Sequence, residues 1–153
     1  MKRQGDFGTP EYSEIIRPPW WLLLVVLILA STFSLAIWAA LGIWMTLAFS
    51  VGELLLISYA AYSSTFHISV TKGWLIVGNA AIERAFVHNF SQLEKKEMRL
   101  AQGRELDPAA YLAIRFWLGT GIKIDLRDPK DPTPYWLVSS RNPEKLKNAL
   151  LAH

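Results

Sequence analysis

The sequence contains no cysteine, which excludes disulfides, thiolate nucleophiles and zinc–thiolate sites. Histidine is nearly as scarce. His67, His88 and His153 lack the His-x-x-x-His spacing that would place two metal ligands on one helix face. Asp125, Asp128 and Asp131 recur every third residue, unlike the alternate-residue ligands of a calcium loop. No nucleophile elbow, phosphate-cradling glycine loop or paired carboxylates with a matching base occurs. We therefore expect no catalytic residue, no metal site and no cofactor, and a protein that is not an enzyme. Charge is also missing over a long stretch. Between Arg17 and His67 the only charged residue is Glu53.

That uncharged stretch dominates the chain. A helix rises about 1.5 Å per residue and a bilayer core is about 30 Å thick, so one span takes about 20 residues. The run from Pro18 to Tyr62 is more than twice that length. Trp and Tyr favour the membrane interface, and Trp20, Trp21, Trp38, Trp44, Tyr59 and Tyr62 mark its ends and middle. The pattern predicts spans at about Trp20–Ala40 and Ile43–Tyr62, joined by a turn at Leu41–Gly42. Ser31, Ser34, Ala30, Ala48 and Gly52 are small enough to let two such helices approach closely. The apolar run is too long for a secretory signal peptide.

All 16 Lys and Arg residues lie outside the hairpin, 13 of them from Lys72 onward. Both termini are therefore expected on the cytoplasmic face of the cell membrane, as a multi-pass arrangement. The composition, 52% apolar with mean hydropathy +0.21, fits a small membrane protein with one soluble module. From Thr65 onward, 13 Lys/Arg face 9 Asp/Glu, a mildly basic balance that suits anionic lipid.

Glu53 lies about 11 residues beyond the turn, or ~16 Å deep. A carboxylate there is costly unless protonated, paired or hydrated. Reflection across the turn puts Ser31 and Thr32 at its level, so Glu53, Ser31 and Thr32 form a candidate intramembrane contact.

Residues 1–17 are expected to form a flexible leader and 18–63 the transmembrane hairpin. Residues 64–153 are expected to form a cytosolic α+β domain. In that domain Phe66, Ile68 and Val70 alternate with polar residues, and Trp74–Val77 returns after Lys72-Gly73. Ala81–Phe90 is strand-like, and Ser91 with Glu94 fits a capping box for a helix ending at Gly103. Leu112, Ile114, Phe116 and Leu118 continue through a Gly119-Thr120-Gly121 hairpin into Ile122, Ile124 and Leu126 as one buried face. Tyr135–Ser139 is the last strand, and Asn142-Pro143 opens a helix to about Leu151 with a Leu146, Ala149, Leu150 stripe. Short strands followed by a closing helix predict a bent antiparallel sheet or partial barrel, the architecture of pleckstrin-homology (PH)-like domains.

The stretch Asp107-Pro108-Ala109-Ala110-Tyr111-Leu112 with Arg115, and the run from Asp128 through Pro134-Tyr135-Trp136 to Leu146, carry a resemblance. The chain resembles an uncharacterised actinobacterial family, domain of unknown function 3093, of two-span membrane proteins with a PH-like cytosolic domain. The resemblance implies the fold but no activity, substrate or catalytic residue.

Arg115, Lys123, Arg127 and Arg141 with Trp117, Tyr135 and Trp136 are a candidate lipid or partner surface, and Arg115, Lys123 and Arg127 form a short basic stripe if they share the outer face of neighbouring strands. The expected role is a non-catalytic membrane adapter that uses its PH-like module for protein–protein contact or membrane-complex assembly. Its partners would be the lipid bilayer and a protein partner or further copies of itself. The alternative is recognition of anionic lipid or a phospho-ligand by the basic stripe. No nucleic acid is expected.

Overall fold

The computed structural model describes residues 8–129 and 131–152. Lys130, His153 and the part of the expected leader before Gly8 therefore lie outside the described residues. The chain divides into two compact units, Arg17–Phe66 and the remainder.

The first unit is a helical hairpin, α1 (Trp20–Leu41) and α2 (Ile43–Ser63). Both helices are long and apolar enough to cross a membrane. Neither contains a buried residue. Their connection is Gly42 alone, with φ 79°, a backbone state that glycine reaches without a Cβ clash. The helices start and stop within a residue of the positions that the aromatic residues predict. Ala30, Ser34 and Ile37 are half-buried on α1, as are Thr46, Ser50, Glu53 and Ile57 on α2. Steps of three and four residues place each set along one stripe, the seam of two helices in contact.

Among the described residues, the second unit contains eight strands in two four-stranded sheets and two α-helices. The first sheet has the order β1 (Tyr12–Ile16), β2 (Phe66–Val70), β3 (Trp74–Val77), β4 (Ala80–Glu83). β1 and β2 are neighbours, so the hairpin is an insertion between two paired strands. The second sheet has the order β5 (Val87–Leu93), β7 (Gly121–Leu126), β8 (Tyr135–Ser139), β6 (Tyr111–Ala113). Helix α3 (Lys95–Ala101) follows β5, and α4 (Pro143–Leu151) closes the chain against β5 and β7.

Ile68, Val70, Leu75 and Val77 of the first sheet are fully buried. So are Ile122, Ile124 and Val138 of the second, and Leu146 of α4. Alternation assigns the opposite face of β7 and β8 to Gly121, Tyr135 and Leu137. Met98 and Ala101 of α3 pack with Tyr135 and Leu137 there. β8 is thus covered on both faces, which explains its continuous apolar run.

Four expectations need correction. Tyr12–Ile16 is a strand rather than flexible leader. Its pattern is inverted, with Glu14 buried and Ile15 exposed, so its period-two signal is hidden. The Ser91–Glu94 capping box does not form. β5 runs on to Leu93, and Glu94 caps α3 with Glu97 as its reciprocal partner. The strand expected across Tyr111–Leu118 ends at Ala113, leaving Leu112 and Phe116 exposed rather than buried. Finally, β6 pairs with β8 in parallel rather than with β7 through a hairpin, so the second sheet is mixed.

Candidate functional site

In the hairpin, the hydroxyl of Ser34 donates to Glu53 Oε2 at 2.7 Å and lies 2.9 Å from Ser50 Oγ. Ser31 and Thr32 do not reach Glu53. Their hydroxyls donate to the carbonyls of Ile28 and Leu29 on their own helix. The partner of Glu53 therefore sits about one turn nearer Gly42 than simple reflection gives, on the half-buried stripe rather than beside it. The result is a chain of two hydroxyls ending on one carboxyl oxygen.

The four cations of the expected surface are spread out. Lys123 lies near the middle of β7, 3.9 Å from Asp125, with its ammonium 4.2 Å from the Tyr135 ring centre. Arg115 follows β6 in a loop, and its backbone N–H donates to Ser139 Oγ at the end of β8. Gly121 pairs with Ser139, so Arg115 sits at the start of β7, whereas Arg127 follows its far end and donates its N–H to Phe86 O. Arg141 lies beyond β8, its N–H donating to Glu14 Oε1 at 2.8 Å. Of Arg115, Lys123 and Arg127 only Lys123 lies on a strand, so no shared face of neighbouring strands gathers the three. Of the aromatics, Trp136 and Tyr135 are buried, and Trp117 stacks edge-on against Phe116. Burial lowers the Arg115 pKa from its ordinary value, with Tyr111 opposing the shift.

Two charged side chains that sequence patterns do not single out are the best-connected polar groups. Arg84 opens a short 3₁₀ turn (Arg84–Phe86) after β4 and is buried. Its Nη1 donates to Glu11 Oε2 and Thr71 O, both at 3.1 Å. Its Nη2 donates to Ala149 O at 3.1 Å and Leu150 O at 2.8 Å. It thus neutralises an acid from the N-terminal segment and caps the C-terminal carbonyls of α4, where a cation is favoured. A shallow cleft of about 350 Å³ beside it is lined by Lys72, Trp74 and Glu83.

Glu14 on β1 is only 9% exposed. It accepts from Ser140 Oγ at 2.6 Å, Tyr12 Oη at 2.9 Å and the Arg141 N–H. Ser140 Oγ in turn accepts from Asn142 N–H, just before α4. Burial, then the Glu14 hydrogen bond and charge, push the Tyr12 phenol up to about 12. Ser140 is fully buried, so this serine–carboxylate pair presents no nucleophile to a substrate. Buried acids and cations carry no apolar period, which is why sequence patterns passed over both groups. His67 and His88 are exposed, and no three His, Asp or Glu side chains converge as a metal site among the described residues. In the proline-rich turn, Thr133 donates to Asp131 Oδ1 through its N–H and its hydroxyl, and these bonds lower the Asp131 pKa.

A family model described as "protein of unknown function (DUF3093)" matches residues 11–150. No curated protein and no solved structure matches the chain.

Proposed function

The chain belongs to the DUF3093 family, and from that premise we propose that it is a membrane-anchored, non-catalytic adapter. In this reading α1 and α2 cross the cell membrane as a hairpin with both termini cytoplasmic. The mixed α/β unit is then held at the cytosolic face, where it engages a protein partner or assembles with a larger membrane complex. The observation that carries the proposal is the hairpin surface. Trp20, Leu29, Phe33, Leu35, Leu55 and Leu56, among many others, are more than half exposed. An aqueous protein does not leave so continuous an apolar surface bare, whereas lipid covers it at no cost. The orientation rests on the confinement of Lys and Arg to the flanks.

The PH-like assignment rests on the two four-stranded sheets and the C-terminal helix seated on β5 and β7. The parallel β6–β8 pair is where it departs from the antiparallel barrel expected. The adapter role draws on the polar chemistry of this unit, since the Arg84 and Glu14 side chains are used internally to hold elements together. Recognition of an anionic ligand by a basic stripe has less support, because only Lys123 lies on β7 while Arg115, Arg127 and Arg141 lie in the segments after β6, β7 and β8.

The absence of cysteine makes a direct test available. Trp44→Cys and Glu105→Cys are introduced separately, and each variant is labelled in intact and permeabilised cells with a membrane-impermeant maleimide. Labelling of the Trp44→Cys variant from outside, and of the Glu105→Cys variant only after permeabilisation, is expected; the reverse would overturn the topology. Purification of the full chain in mild detergent should bring down a stoichiometric companion. A lone chain with lipid only would overturn the adapter role.

A further inference from the structure

The loop between β6 and β7 breaks the rule that apolar residues on a strand pattern go inside. Phe116 is 75% exposed, at the tip of a turn closed by the Leu118 N–H donating to Arg115 O. Its ring meets Trp117 edge-on at 4.9 Å. The Trp117 indole N–H is shut off from water and has no acceptor among the described residues. A buried donor without a partner is costly.

Cations flank this apolar tip. Arg115 precedes Phe116, and its guanidinium lies 6.0 Å from the Trp117 ring centre. On the other side Gly119 lies against Lys95, whose side chain would meet an added Cβ at 3.1 Å. Lys95 and Lys96 open α3 and are both exposed, while the neighbouring acids Glu94 and Glu97 are occupied by their mutual capping box.

We propose that Phe116, Arg115, Lys95 and Lys96 form a contact site for the surface of an anionic bilayer, with the Phe116 ring entering the headgroup–acyl boundary. An exposed aromatic tip ringed by cations complements a surface that is apolar beneath and negative above. This surface shares Arg115 with the dispersed set of cations described above but none of its other members. The inference rests on the membrane reading of the hairpin. Only residues 17–19 separate β1 from α1, and only residues 64–65 separate α2 from β2. These short connections keep the unit close to lipid, so a contact too weak to recruit a free protein still counts.

The test uses the full chain in nanodiscs, with an apolar polarity-sensitive dye on Phe116→Cys standing in for the ring. Identical labels on Asn148→Cys, an exposed site on α4, and on Leu47→Cys, in α2, serve as references. In discs of phosphatidylcholine with phosphatidylglycerol, the dye at position 116 should shift to the blue and lose several-fold in quenching by iodide, relative to position 148. Phosphatidylcholine alone, or Lys95→Glu with Lys96→Glu, should abolish most of that difference. A dye at position 116 as wet as that at 148, with Leu47→Cys reporting an apolar setting, overturns the contact and leaves the membrane reading intact. An aqueous signal at position 47 overturns the membrane reading itself. A blue shift confined to native membranes and absent from anionic discs assigns the loop to a protein partner and overturns the lipid contact.

Discussion

Glu14 and Glu53 present the same physical problem in the two units, and each unit solves it differently. Glu14 is withdrawn from water inside the mixed α/β unit, where three donors converge on its two oxygens. Two of those donors come from the segment between β8 and α4, so the carboxylate ties the first strand of the chain to the approach of its last helix. Glu53 sits on the seam of an otherwise apolar hairpin and accepts from a single serine. A buried charge is made tolerable by dense, specific hydrogen bonding. If the hairpin spans a membrane as proposed, a few hydroxyls suffice to mark the seam, because there is little competing water. The mixed unit therefore draws specificity from charge, and the hairpin draws it from shape with one polar mark.

The sharpest way to break this contrast is at Arg84, which compensates Glu11 and caps α4. Arg84→Met keeps the apolar stem but removes four hydrogen bonds at once. Removing one partner of a buried pair costs about 3–5 kcal/mol, and the lower end applies because the Glu11 side chain is one-third exposed. We expect the mixed unit to lose about 3 kcal/mol in denaturant titration while far-UV helicity from the hairpin persists. Simultaneous loss of both signals would show that the units share their stability and would undo the contrast.

A smaller effect is expected at Gly121, where no titratable group is involved. A Cβ there would clash with Val138 O and lie 2.9 Å from Met98 Cε. The carbonyl belongs to a sheet backbone and cannot swing aside, so Gly121→Ala must push β7 from β8 or lift α3. Overpacking of this kind costs about 1–3 kcal/mol. Gly121→Ala should lower the midpoint of the mixed unit by less than Arg84→Met does. No measurable change would mean that α3 is loosely seated and that charge alone organises this unit.

The hairpin was legible in the sequence almost to the residue because one strong signal, apolar length bounded by aromatic rings, governs it. So were β3 and β8, short apolar runs bounded by turn residues, and α4, where a proline at the first helical position marks the start. The misses share a cause. At β1 the inward position is Glu14 and an outward one is Ile15, so hydrophobicity points the wrong way until Ser140 and Arg141, more than 120 residues later, are seen to satisfy the acid. At Leu112 to Phe116 a good strand pattern yields to topology: β6 takes the edge beside β8, and its continuation swings out. The capping box moved by three residues because Glu94 and Glu97 fit the same template as Ser91 and Glu94, and pairing of Ser91 with Lys123 on β7 extended the strand. The Glu53 contact was legible as a level in the hairpin, but its partner was not. Ser31 and Thr32 turn their hydroxyls onto their own helix, and only the half-buried stripe identifies Ser34.

Ser34 supplies the smallest and most discriminating test. In Ser34→Ala the methyl group still fits the seam, and Ser50, three residues from Glu53 on the same helix, remains close enough to take over as donor. Hydrogen bonds between membrane helices average about 0.6 kcal/mol, so the loss should be of that order. A cysteine pair at Ala30→Cys and Ile57→Cys, about one turn along the same half-buried stripe, reports the seam through its rate of disulfide formation in lipid. Ser34→Ala should slow that rate slightly, and Glu53→Gln, whose amide oxygen still accepts from Ser34, should change it less. If Ser34→Ala instead abolished the crosslink, the hydroxyl–carboxyl chain and not the fit of small residues would hold the hairpin together. Both units would then depend on buried polar groups, and the difference between Glu14 and Glu53 would be one of donor count alone.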